Sequence, residues 1–228
     1  MKRISIRAAF VILFALFSAM GACKTYAQLY NGFSINAGYG ILRYGWNKPD
    51  EYLARMYREP FFIRDLMLGA SMEFFRNKFQ SVIASAGYKI RVLDFDYDKK
   101  NASGVVTGTN TLSCRIHTFQ FSLSERLRYH FAHLFIFFYA GMRLDLNFDA
   151  YAEDPDFNTF TNGIKKTTYG LTTGAGIGFE FRKILNITAE AYYEPDFTKA
   201  YTSSTGYLKN SEVGVRLCFW LLKKSKKK

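Results

Sequence analysis

Few residues of this chain have the types and spacing that catalysis requires. A serine hydroxyl beside an imidazole can act as a nucleophile, so His117 with Ser113, or with a serine on a neighbouring strand, is the candidate pair. Serine and threonine are abundant, however, and a hydroxyl near one histidine is expected by chance. We therefore assign no catalytic residue and predict that the protein is not an enzyme.

The metal-ligating residue types are also few and dispersed. His130 and His133 flank a tight turn, whereas His117 lies towards the other end of its segment, so the three are not expected to meet at a metal. Beyond position 27, cysteine occurs only as Cys114 and Cys218, near opposite ends of their segments. We predict two buried or lipid-facing thiols, no disulfide framework, and no metal or cofactor.

The segment Tyr169 to Phe181, YGLTTGAGIGFEF, indicates the kind of secondary structure that this chain forms. Apolar side chains alternate with glycine, threonine and glutamate, and a period of two is typical of a strand with one apolar face. Gly174, Gly176 and Gly178 follow this period, so we interpret them as close-packing positions beneath bulky arginines rather than as a nucleotide-binding loop.

The same alternation recurs along the chain and predicts eight strands. No stretch after Phe17 is apolar for the roughly 20 residues of a spanning helix, so a membrane protein of this sequence crosses with strands. An abrupt change of phase around Ile116 predicts a β-bulge in the fourth strand. The predicted strands are Phe33–Tyr44, Leu66–Phe75, Ser81–Asp94, Leu112–Phe131, Leu134–Phe148, Tyr169–Phe181, Ile187–Tyr193 and Ser211–Leu222.

The connections between these strands alternate in length. Short turns are predicted at Asn77-Lys78, at Ala132-His133 and near Lys183. Long connections are predicted between strands one and two, three and four (DYDKKNASGVVTGTN), five and six, and seven and eight. Long extracellular loops and short periplasmic turns are typical of outer-membrane barrels, so we predict an all-β, eight-stranded, antiparallel up-and-down transmembrane β-barrel.

The polar face decides which side is the lumen. Glycines and long charged residues of both signs share it, and eight strands leave an interior just wide enough for side chains to fill. The other face carries aromatic residues near the strand ends, as membrane girdles do. We therefore predict an ion-paired plug in the lumen, with Lys89, Arg128 and Asp145 on the same face, and assign it to Glu73, Arg91, Arg126, Arg143, Glu180, Arg182, Glu190, Glu212 and Arg216.

The N-terminus is typical of an export signal. Three basic residues precede an apolar run and small residues, which predicts a signal peptide over 1–27, a barrel over 28–222 and a basic tail over 223–228. Cleavage after Ala27 competes with lipidation at Cys23 in a weak lipoprotein box. In the first long connection, Asp50 to Pro60 predicts a short helix that either covers the barrel mouth or contacts a partner.

Four blocks of the sequence resemble the PorT-like outer-membrane β-barrel family of Bacteroidetes. They are FQFSLSERLRYHF, LFIFFYAGMRLDL, YGLTTGAGIGFEF and SEVGVRLCFWL. The resemblance implies insertion by the outer-membrane assembly machinery, with a C-terminal aromatic signal at Phe219 or Trp220. The family includes a member that a protein-secretion system requires.

Taken together, the sequence predicts a non-enzymatic outer-membrane barrel with a structural or partner-binding role. We expect contact with outer-membrane lipid and lipopolysaccharide, a protein partner at the extracellular loops, and no nucleic acid. The alternatives are a lipid-modifying enzyme, a small channel, an accessory barrel of a secretion system, and a soluble periplasmic barrel that binds an apolar ligand.

Overall fold

The computed structural model describes residues 30–47, 63–100, 103–152, 163–181, 184–202 and 207–223, which form a sheet of β-strands. No helix in these residues is long and apolar enough to cross a membrane. The strands are β1 (Tyr30–Asn47), β2 (Ile63–Phe74), β3 (Gln80–Lys100), β4 (Val106–Phe131), β5 (Leu134–Ala152), β6 (Thr167–Phe181), β7 (Leu185–Pro195), β8 (Tyr201–Thr202) and β9 (Tyr207–Leu222).

The sheet closes into a barrel of eight strands. Each of β1 to β7 pairs antiparallel with the next along the chain, β7 pairs with β9, and β9 pairs with β1, while the two residues of β8 lie beside β9. The register is staggered, which tilts the strands against the barrel axis. One ladder of paired residues leaves β1 at Tyr30 and returns to it at Ile41, through Phe74, Val82, Glu125, Ala140, Thr173, Tyr193 and Val213.

Exposure alternates along the strands as the sequence predicts. In β7 the lumen-facing residues Asn186, Thr188 and Glu190 are buried, whereas Ala189 and Tyr193 on the other face are exposed. The aromatic residues predicted near the strand ends of the apolar face all lie on the outside of the barrel. They are Tyr39, Tyr88, Tyr129, Phe131, Tyr169, Phe179, Phe181, Tyr193 and Phe219. The eight-stranded transmembrane barrel with an apolar outer face is therefore confirmed.

The connection between strands three and four is shorter than predicted. β3 continues to Lys100 and β4 begins at Val106, so most of the predicted loop forms strand. In the described residues, β3 pairs with β2 as far as Leu93, and β4 pairs with β5 from Cys114. Residues 94–100 and 106–113 pair with each other as a two-stranded ribbon at the outer end of the barrel. Threonine-rich and alternating residues favour this pairing over an open loop.

The predicted β-bulge in the fourth strand is wrong in its position. Cys114, Ile116 and Thr118 are all buried on the lumen side, so the facing of β4 does not change. The register shift lies between His117 and Thr118 opposite β5, where Phe148 is the extra residue. Cys114 and Ile116 are apolar but face the lumen, and this produced the apparent change of phase in the alternation of apolar and polar residues.

The glycines of β6 pack against aromatic rings rather than beneath arginines. Gly174, Gly176 and Gly178 pair across strands with Tyr139, Phe137 and Phe135 of β5, and a Cβ at each glycine would overlap the ring opposite. All three rings are buried in the lumen and, with Tyr192, form an apolar cluster. Because these glycines have no side chain, β6 leaves space for the aromatic rings of β5.

Several predicted features lie outside the described residues. They are the signal peptide over 1–27 with Cys23 and Ala27, the helix from Asp50 to Pro60, Arg182, and all of the basic tail except Lys223.

Candidate functional site

The lumen holds the buried charged side chains of the described barrel, and it is the candidate site. Seven of the nine residues predicted for the plug are buried there, while Glu180 is half-buried at the periplasmic end and Arg182 lies outside the described residues. The buried charges form two groups along the axis. We call them the outer cluster (Asp65, Lys89, Arg91, Arg143, Asp145, Glu194, Asp196, Glu212) and the inner cluster (Glu73, Arg126, Arg128, Glu190, Arg216).

Lys89 is the centre of the outer cluster. Its side chain is 0% exposed, and its Nζ donates to Glu194 Oε2 at 2.9 Å and to both carboxylate oxygens of Glu212 at 2.8 Å. Asp65 Oδ2 lies 3.7 Å from the same nitrogen. A buried ammonium is stable only when paired and hydrogen-bonded, and here all its donors are directed at carboxylates.

Two arginines extend the outer cluster across the lumen. Arg91 donates to Asp65 at 3.2 Å and to Asp145 at 2.9 Å. Arg143 donates to Glu194 at 2.9 Å and also binds Asp196. These pairs join side chains on β2, β3, β5 and β7, so the network ties together strands that are not neighbours in the sheet.

Glu194 accepts more hydrogen bonds than any other carboxylate described in the lumen. Besides Lys89 and Arg143, its oxygens accept from Gln120 at 2.8 Å, from Thr172 at 2.9 Å and from Arg216 at 3.4 Å. Arg216 links it to the inner cluster, because its Nη1 lies 3.0 Å from Glu190 Oε1. Charge-assisted hydrogen bonds therefore join Glu190 to the outer cluster through Arg216. Arg126 lies 3.7 Å from Glu190 as an ion pair, and Arg128 with Glu73 forms a separate pair.

Aromatic rings complete the inner cluster. The guanidinium of Arg126 lies 4.4 Å from the ring centroid of Phe137 and 4.8 Å from that of Trp220. Arg128 binds Glu73 and the hydroxyl of Ser81. Stacked rings and ion pairs leave little free space, since the cavity among these side chains measures about 10 Å³. A space of that size holds about one water molecule.

The two candidates for the C-terminal insertion signal point in opposite directions. Phe219 is exposed on the outer face of β9, whereas Trp220 is buried in the lumen against Arg126.

Three carboxylates of the outer cluster were missed from the sequence. Asp65 and Glu194 lie just beyond the predicted ends of their strands, although Glu194 continues the alternation of Glu190 and Tyr192. Asp196 follows Pro195, and its backbone forms an isolated β-bridge with Gly170. Its side chain is buried in the lumen. Extending each alternation by one period would have found the first two.

The structure does not bring together the predicted serine and histidine. Ser113 and His117 are four residues apart on β4, a distance of about 13 Å along a strand. His117 lies instead among the outer aromatic side chains, where its Nδ1 is hydrogen-bonded to the Tyr88 hydroxyl and its ring stacks on Tyr151.

The two cysteines and the metal-ligating residues also remain apart. Cys114 and Cys218 are free and buried on the lumen side. In the part of the chain that the structure describes, no group of three or more His, Cys, Asp or Glu residues could hold a metal ion.

Comparison with known proteins identifies the family and the fold. Residues 64–201 match the family described as Outer membrane protein beta-barrel domain, and no curated protein matches the chain. Among solved structures, OprG from Pseudomonas aeruginosa is 11% identical, with a TM-score of 0.49 over 87% of this chain and 98% of OprG.

This chain is also similar to two further solved structures. Ail, the attachment invasion locus protein of Yersinia pestis, is 14% identical, with a TM-score of 0.37 over 83% of this chain and 99% of Ail. The outer membrane protease OmpT from Escherichia coli is 7% identical, with a TM-score of 0.42 over 88% of this chain and 98% of OmpT.

Proposed function

The chain belongs to the outer membrane protein beta-barrel domain family, and from that premise we propose that it is a non-enzymatic, non-conducting barrel that presents its outer loops to a partner. The observation that carries the proposal is the network of buried ion pairs around Lys89 in the lumen, with Lys89 bonded to Glu194 and Glu212 at 2.8 to 2.9 Å. The cavity among the side chains of the inner cluster has room for about one water molecule, which supports a lumen closed to hydrated ions at that level. The distance between Ser113 and His117 supports the absence of catalysis.

Planar bilayer recording tests the closed lumen. The wild-type barrel should show no unitary current steps, whereas a variant with a hollowed lumen, Arg143→Ala with Glu194→Ala, should show them and thereby prove that the barrels are inserted. Both side chains are buried in the middle of the network, and their removal opens space next to Gln120 and Thr172. Current steps of equal size in both proteins would contradict the proposal.

We propose that the partner binds the ribbon formed by residues 94–100 and 106–113. The two arms of this ribbon pair with each other at the outer end of the barrel, where β3 continues past the partner of Ile63 and β4 begins before the partner of Ala152. Replacement of 95–112 by an Asn-Gly turn should leave the shift in gel mobility on boiling intact, because the lumen network lies below the ribbon. The same change should abolish recovery of any protein that copurifies with the intact barrel, and undiminished recovery would refute the assignment.

At the outer rim, we propose contact with the phosphate groups of lipopolysaccharide. Arg64 and Arg115 are exposed on the outer face and lie in one ladder on either side of Val92. Positive side chains at this level attract anionic headgroups. Arg64→Gln with Arg115→Gln should reduce retention of the barrel on immobilised lipopolysaccharide relative to Lys78→Gln at the periplasmic end, and equal retention would contradict the contact.

The four resembling blocks lie on β4, β5, β6 and β9, which is consistent with a PorT-like member of the family. We propose that relationship, together with insertion by the outer-membrane assembly machinery through Phe219. We do not extend the proposed relationship to a role in secretion.

A further inference from the structure

Glu125 is a charged side chain in the middle of the lipid-facing surface of the barrel. It is exposed, and its neighbours on the outer face of β4, Leu123 and Leu127, are exposed as well. Among the described outward-facing residues between the aromatic ends of the strands, Glu125 alone is charged. Every other carboxylate or cation at this depth is buried inside the lumen.

The depth of Glu125 places it far from both membrane surfaces. Six residues separate it from Phe119 and six from Phe131, the exposed aromatic residues at the two ends of the apolar stretch of β4. Six residues of a strand tilted by about 40° span about 15 Å along the membrane normal. A carboxylate at this depth is unfavourable against lipid, and an intramembrane ionisable residue is commonly part of a functional site.

The barrel itself provides Glu125 with little compensation. In the described residues its hydrogen-bond partner is Gln80, whose Nε2 donates to Glu125 Oε1. Its cross-strand neighbours are Val82 and Ala140, which offer no polar side chain. An ionised carboxylate has about four acceptor sites, so most of its hydrogen-bonding capacity is directed outwards.

The surroundings of Glu125 allow another polypeptide to approach closely. Ala140 on β5 is exposed and Ala84 on β3 is half-buried, so no bulky side chain stands next to the carboxylate on β5. A lipid ammonium group lies at the membrane surface and does not reach this depth. A second copy of the chain offers no complementary cation, because the described outward-facing basic residues, such as Arg64, Arg115 and Lys78, lie at the rims.

We propose that Glu125 is the centre of an intramembrane docking site for a spanning segment of a different protein, which presents a lysine or arginine at mid-membrane depth. The site lies on the β3 to β5 side of the barrel, with Gln80 orienting the carboxylate and Ala140 forming the floor. This lateral site is separate from the outer loops and from the lumen.

Disulfide trapping in lipid vesicles tests the site with a defined probe. The probe is a synthetic leucine and alanine helix with one central lysine and a single cysteine one turn away. Full-length barrel with Ala140→Cys is compared with Ala37→Cys, an exposed alanine on β1 at matched depth on another side of the barrel. Cys114 and Cys218 are buried and do not compete.

The lysine helix should form a disulfide at position 140 at least about tenfold faster than at position 37, since one charge-assisted hydrogen bond in a dry site shifts binding by that factor. A helix with central leucine should show no preference, and Glu125→Leu should remove the preference of the lysine helix. Equal rates at the two positions, a preference that survives Glu125→Leu, or a dominant disulfide between two barrels would overturn the proposal.

The stability of the isolated barrel separates docking from a structural role. Because lipid-facing charge is unfavourable, Glu125→Leu should shift the unfolding equilibrium of the isolated barrel by about tenfold or more towards the folded state. A shift towards the unfolded state would assign Glu125 to the architecture of the barrel and refute its role as a docking residue.

Discussion

Replacement of Lys89 by methionine should destabilise the barrel more than any single surface change. Methionine has nearly the same length and volume, so the change removes the charge and three hydrogen bonds without leaving a large cavity. Glu194 retains Gln120, Arg143 and Thr172 as donors. The loss of stability in this variant therefore reflects mainly the loss of the Lys89 ammonium beside Glu212.

The size of the expected destabilisation follows from the partners that Glu212 retains. Without Lys89, it retains the Tyr192 hydroxyl at 2.7 Å and Arg91 at 3.7 Å, while its side chain remains 0% exposed. Removing one partner from a buried ion pair typically costs about 3 to 5 kcal/mol, because the remaining charge has lost both water and its counter-ion. We expect a loss within that range for Lys89→Met. Adding Glu212→Gln should recover at least about 2 kcal/mol, because it removes the uncompensated charge.

The assay is reversible urea unfolding in lipid vesicles, followed by tryptophan fluorescence, with Lys209→Met as the matched control. Lys209 is exposed on β9, and its replacement should change the free energy of unfolding by less than about 0.5 kcal/mol. A loss below about 1 kcal/mol for Lys89→Met, or strictly additive effects of the two lumen changes, would refute the conclusion that this network holds the barrel closed.

Three further predictions concern packing, insertion and accessibility. Gly178→Ala should lower the free energy of unfolding by about 1 to 3 kcal/mol, because the new methyl group overlaps the Phe135 ring. Gly108→Ala is the control and should lower it far less, since the space around Gly108 is open. Equal losses in the two variants would contradict the packing of Phe135 against Gly178. Phe219→Ala should slow accumulation of the barrel in the outer membrane, measured by pulse-chase, while Trp220→Ala should lower stability without slowing insertion; the reverse pattern would assign the signal to Trp220. Both cysteines should resist maleimide in the folded barrel and react once it is unfolded, and rapid labelling of the folded form would contradict a filled lumen.

The sequence by itself determined the strands, their facing and the kind of membrane protein. A period of two is a local property, so each strand shows which of its residues share a face, and lysine, arginine and glutamate beside glycine mark the face that lies inside. The rule worked for β6, β7 and β9. It failed in β4, where Cys114 and Ile116 face the lumen, because an apolar residue inside a plugged barrel carries no sign of its position.

The tertiary structure decided which residues meet. Lys89 binds Glu194 and Glu212, which lie 105 and 123 residues further along the chain, and these pairs follow from closure and from the stagger of the register. Neither quantity is encoded in any one strand, because both depend on how all eight ladders align. The same alignment places Phe135 over Gly178. The alternation alone puts Glu125 on the outer face, but only the closed surface shows that it has no cation beside it among the described residues, since every lumen charge is separated from it by the sheet.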